Sequence, residues 1–192
     1  IYSLVPDRSN IFLSNSMPVR DFDYFLSGGK DINLYYNRGA SGIDGIISSA
    51  CGVGQNSISP TTLVIGDLAF YHDLNSLYLT RRLSHPLVII LINNGGGGLF
   101  DLLPISSEKI DFEKYFKTPV NMNYEKSAQA FGLNYSRIKS WVDLKSQYNK
   151  AIKSKTSTVL EIKTNSKQSV KLRRKFWEES KATVNKKIND LS

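Results

Sequence analysis

Two short apolar segments, residues 61–65 and 87–92, constrain the fold more than any other feature of the chain. Both are rich in β-branched and aliphatic residues and lack a charged face, which is typical of strands buried on both sides of a parallel sheet. Further strands are predicted at residues 10–13, 32–36 and 156–164, and helices at 17–26, 43–52, 70–83, 125–131 and 141–153. This alternation predicts an α/β fold: a doubly wound, mostly parallel sheet with helices on both faces.

The size and composition fit a single globular domain, with 192 residues, 41% of them hydrophobic and 22% charged. The longest apolar run, residues 87–92, is far shorter than the roughly 20 residues that cross a bilayer, so no membrane partner is expected. The single cysteine, Cys51, excludes an internal disulfide and predicts a small buried helix residue. The start at Ile1 predicts no signal peptide and a chain cut from a longer protein.

The net charge of +8 is concentrated at the C-terminus. Residues 165–192 hold eight Lys or Arg and three acidic residues, a net +5. We therefore divide the chain into a domain at 1–164 and a basic, helical segment at 165–192, with Leu172, Phe176 and Val184 on one stripe. The basic face is interpreted as solvated, with an acidic partner as the alternative. No nucleic-acid motif accompanies it, so no nucleic-acid partner is expected.

Three loops rich in glycine and polar residues follow predicted strands, at residues 37–42, 66–69 and 93–100. Ligands of doubly wound sheets bind outside the carboxyl ends of the strands, so the three loops are expected to converge on one site. Each loop also leads towards a helix, whose free backbone N–H groups attract phosphate. Taken singly, each loop is explained as well by turn chemistry, in which glycine supplies a positive φ.

Asp67 is the best candidate for a metal ligand, because it follows a predicted buried strand. A single Asp after a strand is often only a helix N-cap, and Asp67 could serve both roles. Asn94 would add a side-chain oxygen and Gly96 a backbone carbonyl. Such oxygens suit Mg²⁺ or Mn²⁺, with diphosphate and water completing the coordination. The pair formed by Gly66-Asp67 and Asn93-Asn94, at this spacing, resembles the motif of thiamine-diphosphate enzymes.

Arg20 and Arg38 are the cations best placed for a substrate with carboxylates, since guanidinium groups bind carboxylates bidentately. Ser16 is predicted to cap the first helix and to share one face of it with Arg20, four residues on. Taken singly, each arginine is more often a surface or ion-pair residue.

A longer sequence segment narrows the resemblance from a superfamily to one enzyme family. The segment NRGASGIDG at residues 37–45, together with 14–20, 66–75 and 93–100, resembles the diphosphate-binding domain of the SEPHCHC synthase family. These are 2-succinyl-5-enolpyruvyl-6-hydroxy-3-cyclohexene-1-carboxylate synthases of menaquinone and phylloquinone biosynthesis. The resemblance covers about residues 10–164.

The resemblance implies a cofactor, thiamine diphosphate with Mg²⁺, and two substrates, 2-oxoglutarate and isochorismate. The first is decarboxylated and its succinyl unit is added to the second, with the cofactor as electron sink. It also implies the metal ligands Asp67, Asn94 and Gly96. For cofactor binding it implies Ser41, Gly42, Ile43, Gly66, Asp67, Leu68, Ala69, Asn94, Gly96, Leu99 and Phe100, and for catalysis Ser16, Arg20, Arg38 and Ile43.

In this family a separate pyrimidine domain, on another segment or subunit, carries the glutamate that activates the cofactor. The chain is therefore expected to be inactive alone and to act within a homodimer or homotetramer. The pathway implies a bacterial cytoplasm or a plastid stroma. The run Gly95-Gly96-Gly97-Gly98 departs from the family and predicts a loosely held loop. The alternatives are another thiamine-diphosphate decarboxylase or carboligase domain, and a non-catalytic binding or assembly remnant.

Overall fold

The chain folds around a parallel sheet with the strands β1 (Ser9–Leu13), β2 (Ile32–Tyr36), β3 (Thr61–Gly66), β4 (Leu87–Asn93), β5 (Asn134–Ile138) and β6 (Thr158–Lys163). The computed structural model describes residues 1–26, 28–108 and 110–190. In these residues the strand order is β2-β1-β3-β4-β6-β5, and every neighbouring pair is parallel. The predicted α/β fold is thus confirmed.

The helices cover both faces of the sheet. They are α1 (Met17–Phe25), α2 (Ile46–Gln55), α3 (Asp67–His72), α4 (Tyr124–Ala130), α5 (Trp141–Ala151) and α6 (Ser166–Asn189). Helices α2, α3 and α4 pack on one face, where Cys51 is buried in α2 as predicted. Helices α1 and α5 pack on the other face, where the hydroxyls of Thr62 and Tyr148 are hydrogen bonded at 2.7 Å.

The structure differs from the sequence prediction at three elements. Strand β5 was not predicted, because it is an edge strand whose residues are polar and largely accessible. The single helix predicted at residues 70–83 is the short helix α3 followed by 3₁₀ turns at Leu74–Arg82. Helix α2 starts at Ile46 rather than at residue 43, because Gly45 has a left-handed conformation with φ of 64°.

The C-terminal segment forms α6, whose first half contacts α1. The guanidinium of Arg173 forms a bidentate ion pair with the carboxylate of Asp21, and Phe176 packs against Phe25 with ring centroids 4.9 Å apart. Two members of the predicted apolar stripe, Leu172 and Val184, are 62% and 54% exposed. The division into two domains stays a prediction. None of the described helices combines the length and apolar character that crossing a membrane requires.

Candidate functional site

A cavity of about 470 Å³ lies at the carboxyl ends of β1, β3 and β4. In the strand order, β2 lies on one side of β1, whereas β3 and β4 lie on the other side. The carboxyl ends of β1 and β3 therefore form a topological switch point, where ligands of such sheets bind. The predicted site residues that line the cavity are Ser16, Arg20, Arg38, Ser41, Ile43, Gly66, Asp67, Leu68, Ala69, Asn94, Gly96, Leu99 and Phe100. The remaining predicted residue, Gly42, does not line it.

Asp67 is at the centre of the hydrogen bonding in this cavity and is only 2% exposed. Its Oδ2 accepts the backbone N–H groups of Asn94, Gly95 and Gly96 at 3.1, 2.8 and 2.9 Å. Its Oδ1 accepts the N–H of Leu68 at 2.8 Å. One carboxylate therefore joins the end of β3 to the loop that follows β4.

Burial affects both the pKa and the charge balance of the Asp67 carboxylate. Burial raises the pKa of this carboxyl, and the four backbone N–H donors oppose that rise. In the part of the chain that the structure describes, no lysine, arginine or histidine forms an ion pair with it. A buried carboxylate is costly without an opposite charge, so this position fits a bound cation.

The oxygens around Asp67 fit a hard divalent cation. Asp67 Oδ1 accepts one hydrogen bond and retains acceptor capacity, whereas Oδ2 already accepts three. Asn94 Oδ1 accepts the N–H of Gly96 at 3.2 Å, and the carbonyl of Gly96 accepts the N–H of Gly98 at 2.8 Å. Each can offer a further lone pair to Mg²⁺ or Mn²⁺. Residues 1–26, 28–108 and 110–190 contain no competing cluster of three His, Cys, Asp or Glu.

The glycine run after β4 is hydrogen bonded to two parts of the chain, and its predicted looseness stays a prediction. The N–H groups of Gly95 and Gly96 bond to Asp67, and that of Gly97 bonds to the carbonyl of Lys117 at 2.7 Å. Gly96 has φ of 133°, and a Cβ there would lie 2.4 Å from the same carbonyl. Glycine is required at this position because the backbone of residue 117 approaches so closely.

The loop before α2 does not offer the free helix N-terminus that was predicted for phosphate binding. The carboxylate of Asp73 accepts the N–H groups of Ile47 and Ser48 at 2.7 and 3.0 Å. It thereby occupies the N-terminus of α2, which had been predicted as a free phosphate-binding end. The loop is attached instead to the segment that follows β1, because Asn15 Nδ2 donates to the carbonyl of Gly42 at 2.6 Å.

The predicted substrate-binding residues lie on two sides of the cavity. Arg20 Nη1 donates to the carbonyl of Ser16 at 2.6 Å, so the two residues share a face as predicted. Ser16 is the N-cap residue of α1 as predicted, but its side chain makes no capping hydrogen bond. Its φ of 72° and ψ of −127° are strained for a non-glycine residue. Arg38 is exposed, and its guanidinium pairs with no carboxylate among the described residues.

The sequence reasoning missed several cavity residues, among them Asn15, Tyr115, Phe116 and Thr118. Asn15 is buried, and its Oδ1 has no hydrogen-bond partner in the described part of the chain. Tyr115, Phe116 and Thr118 close the cavity from the segment around Glu113–Lys117. Hydrophobic periodicity fails there because the segment is a single π-helical turn. Asn15, by contrast, could have been found from the polar residues that follow β1.

Two named proteins are similar to this chain in sequence. The 2-succinyl-5-enolpyruvyl-6-hydroxy-3-cyclohexene-1-carboxylate synthase of Bacillus velezensis is 41% identical over 184 residues, covering 95% of this chain and 32% of the relative. The enzyme of the same name from Chlorobium limicola is 45% identical over 176 residues, covering 91% of this chain and 30% of the relative. The chain thus spans about a third of the length of these relatives.

A solved structure shows the same fold. Benzoylformate decarboxylase from Polynucleobacter necessarius superposes with a TM-score of 0.69 at 14% identity, over 85% of this chain and 31% of that one. Residues 32–162 match the family described as thiamine pyrophosphate enzyme, C-terminal TPP binding domain. That span includes the buried Asp67 and the glycine loop bonded to it. The chain therefore belongs to the thiamine pyrophosphate enzyme family and represents its C-terminal, TPP-binding domain.

Proposed function

We propose that this chain is the diphosphate-binding part of a Mg²⁺-dependent transferase that makes SEPHCHC from 2-oxoglutarate and isochorismate. The observation that carries the proposal is the buried Asp67 carboxylate, joined to the loop of Asn94 and Gly96 in a chain similar to synthases of that name. The product places the reaction in menaquinone or phylloquinone biosynthesis.

Thiamine diphosphate supplies an electron sink for decarboxylation when it is bound. The chain's own residues hold and orient it. Asp67 Oδ1, Asn94 Oδ1 and the Gly96 carbonyl would hold the metal ion. The backbone around residues 66–69, with Ser41, would surround the diphosphate, and Leu99 and Phe100 would exclude water from one wall. Ile43, 37% exposed beside the cavity, would support the cofactor from the loop before α2.

Arg38 and Arg20 would bind the substrate carboxylates. Arg38 is the better candidate for an incoming anion, because its guanidinium has no carboxylate partner in the described part of the chain. Arg20 is already held by the carbonyl of Ser16, which would fix its orientation towards the cavity. Substrates with several carboxylates, such as 2-oxoglutarate and isochorismate, fit two arginines at one site.

A second protein surface would complete the site. Family resemblance supports a pyrimidine domain on another segment or subunit, within a homodimer or homotetramer, in a bacterial cytoplasm or a plastid stroma. Exposed apolar side chains beside the cavity and along the β2 edge, including Ile43, Leu34 and Tyr36, support such a contact.

The test measures CO₂ release from 2-oxoglutarate and SEPHCHC formation by the purified chain with Mg²⁺ and thiamine diphosphate. We expect no steady turnover by the chain alone, and turnover once the remainder of the Bacillus velezensis relative is supplied as a separate polypeptide. Arg38→Gln should then lower the rate at limiting 2-oxoglutarate, whereas Arg82→Gln, an exposed arginine outside the cavity, should not.

Two outcomes would contradict this account. Steady product formation by the chain alone would refute the need for a second protein surface. Decarboxylation of 2-oxoglutarate without transfer to isochorismate would instead favour another thiamine-diphosphate carboligase.

A further inference from the structure

Glu161 is a buried carboxylate behind the site that none of the proposed catalytic roles uses. It lies on β6, is 6% exposed and does not line the cavity. Its Oε1 accepts a hydrogen bond from Asn93 Nδ2 at 2.6 Å, and its Oε2 accepts the hydroxyl of Tyr135 on β5. Both oxygens therefore have defined partners, and Glu161 links the strand that ends at Asn93 to the edge strand of the sheet.

Asn93 connects Glu161 to the loop 94–96 through hydrogen bonds. Its Oδ1 accepts the backbone N–H of Gly95 at 3.2 Å, and its own carbonyl accepts the N–H of Thr164 at 2.8 Å. It is thus held at its amide nitrogen, its amide oxygen and its backbone. The next residue is Asn94, one of the three proposed metal ligands.

Gly95 is held from both sides. Its N–H lies 3.2 Å from Asn93 Oδ1 and 2.8 Å from Asp67 Oδ2, so the two side chains share one donor. Glu161, Asn93, Gly95 and Asp67 form a continuous hydrogen-bonded series from β6 to the end of β3. Two buried carboxylates therefore fix the same loop from opposite directions.

We propose that Glu161, supported by Tyr135, is a positioning residue that fixes the metal-binding loop 94–96 through the side chain of Asn93. The consequence for metal binding depends on the proposed function above. The restraint on the loop is a property of the chain itself.

The loop needs such a restraint because of its glycines. Gly95 and Gly96 have φ of 83° and 133°. In a flexible chain, glycine also adopts many other backbone conformations. Fixing such residues costs more conformational entropy than fixing any other type. Partners outside the first ligand shell commonly improve metal affinity by holding the ligands in place.

The first experiment measures amide hydrogen exchange of Gly95 and Gly96 in the metal-free chain. Glu161→Leu should speed exchange at both amides by about tenfold or more, because Asn93 loses its acceptor. Glu161→Gln should stay within about threefold of the wild type, since its Oε1 can accept from Asn93 and its Nε2 can donate to the Tyr135 oxygen. Rescue by the glutamine would assign the effect to hydrogen bonding.

Tyr148→Phe is the matched control for a general loss of stability. It breaks the buried hydrogen bond between Tyr148 and Thr62 on the opposite face of the sheet. It should leave the exchange of Gly95 and Gly96, relative to the amides of β3, unchanged. Equal exchange at Gly95 and Gly96 in Glu161→Leu and the wild type would overturn the positioning role.

The second experiment measures the Mg²⁺ affinity of the same variants by calorimetry in the presence of thiamine diphosphate. Glu161→Leu should weaken the affinity by about 10–100-fold, with Glu161→Gln and Tyr148→Phe near the wild type. If Glu161→Leu frees the loop but the wild-type chain binds no Mg²⁺, the positioning role stands and the proposed function of the chain fails. If the wild type binds Mg²⁺ and Glu161→Leu binds it equally well, the inference is refuted and the proposed function stands.

Discussion

Asp67 Oδ2 accepts the backbone N–H of Gly96 at 2.9 Å, a bond that joins residues 29 positions apart. The register of β3 with β4 makes this bond possible, because Gly66 pairs with Ile92 and both strands end at the same edge. Two of the three proposed metal ligands are thus held together by the fold before any cation binds.

Gly96→Ala should destabilise the protein by about 1–3 kcal/mol, because alanine is strained at φ of 133° and its Cβ would lie 2.4 Å from the Lys117 carbonyl. Urea unfolding followed by circular dichroism measures the loss. Gly39→Ala is the control, since its Cβ would meet nothing within 4 Å and no positive φ is required there. Equal stability of Gly96→Ala and the wild type would show that the glycine loop is not held as described.

Asp73→Ala should cost about 1–2 kcal/mol, because the N–H groups of Ile47 and Ser48 at the start of α2 lose their acceptor. The measurement is the urea midpoint together with the far-ultraviolet signal. Asp44→Ala, an exposed acid in the preceding loop, should change the midpoint little. A loss no larger for Asp73→Ala than for Asp44→Ala would contradict the capping role.

Arg173→Ala should loosen α6 from α1, because it removes the bidentate pair with Asp21 at a part-buried position. We expect a loss of about 0.5–1 kcal/mol and faster limited proteolysis within the first half of α6. Lys175→Ala serves as the control, since its pair with Glu179 is exposed and lies within the helix. Identical cleavage rates for the two variants would mean that Asp21 does not hold α6.

The Cys51 thiol should react slowly with a thiol reagent in the native protein at pH 8, and fast in urea. Burial, with a smaller contribution from Asp73, raises its pKa from 9.0 to about 12. The stability that this protonated thiol contributes is complete below pH 9 and is lost as the pH rises towards 12, because the unfolded chain releases the proton first.

Cys51→Ala should therefore show a smaller fall in the free energy of unfolding between pH 9 and pH 11 than the wild type does. Denaturant titrations at the two pH values measure the difference. Parallel falls in the two proteins, or rapid native labelling at pH 8, would contradict the buried, protonated thiol.

Sequence patterns predicted the central strands well because burial on both faces leaves a continuous apolar signal, as in β3 and β4. Edge strand β5 and the π-helical turn at Glu113–Lys117 carry no such signal, since tertiary contacts rather than periodicity determine them. The candidate site was predictable where the ligand-bearing loops directly follow strands. The hydrogen bonding of Asp73 to the N-terminus of α2 could not be predicted, because it joins residues that are 26 positions apart in the sequence.

Calorimetric titration of the chain with thiamine diphosphate, with and without Mg²⁺, tests the central claim most directly. We expect binding by the wild type that requires Mg²⁺ and is abolished in Asp67→Asn, which keeps the size of the side chain but removes its charge. Circular dichroism of Asp67→Asn would verify that the fold is retained. Binding of equal strength by the wild type and Asp67→Asn, or binding that is indifferent to Mg²⁺, would contradict the account.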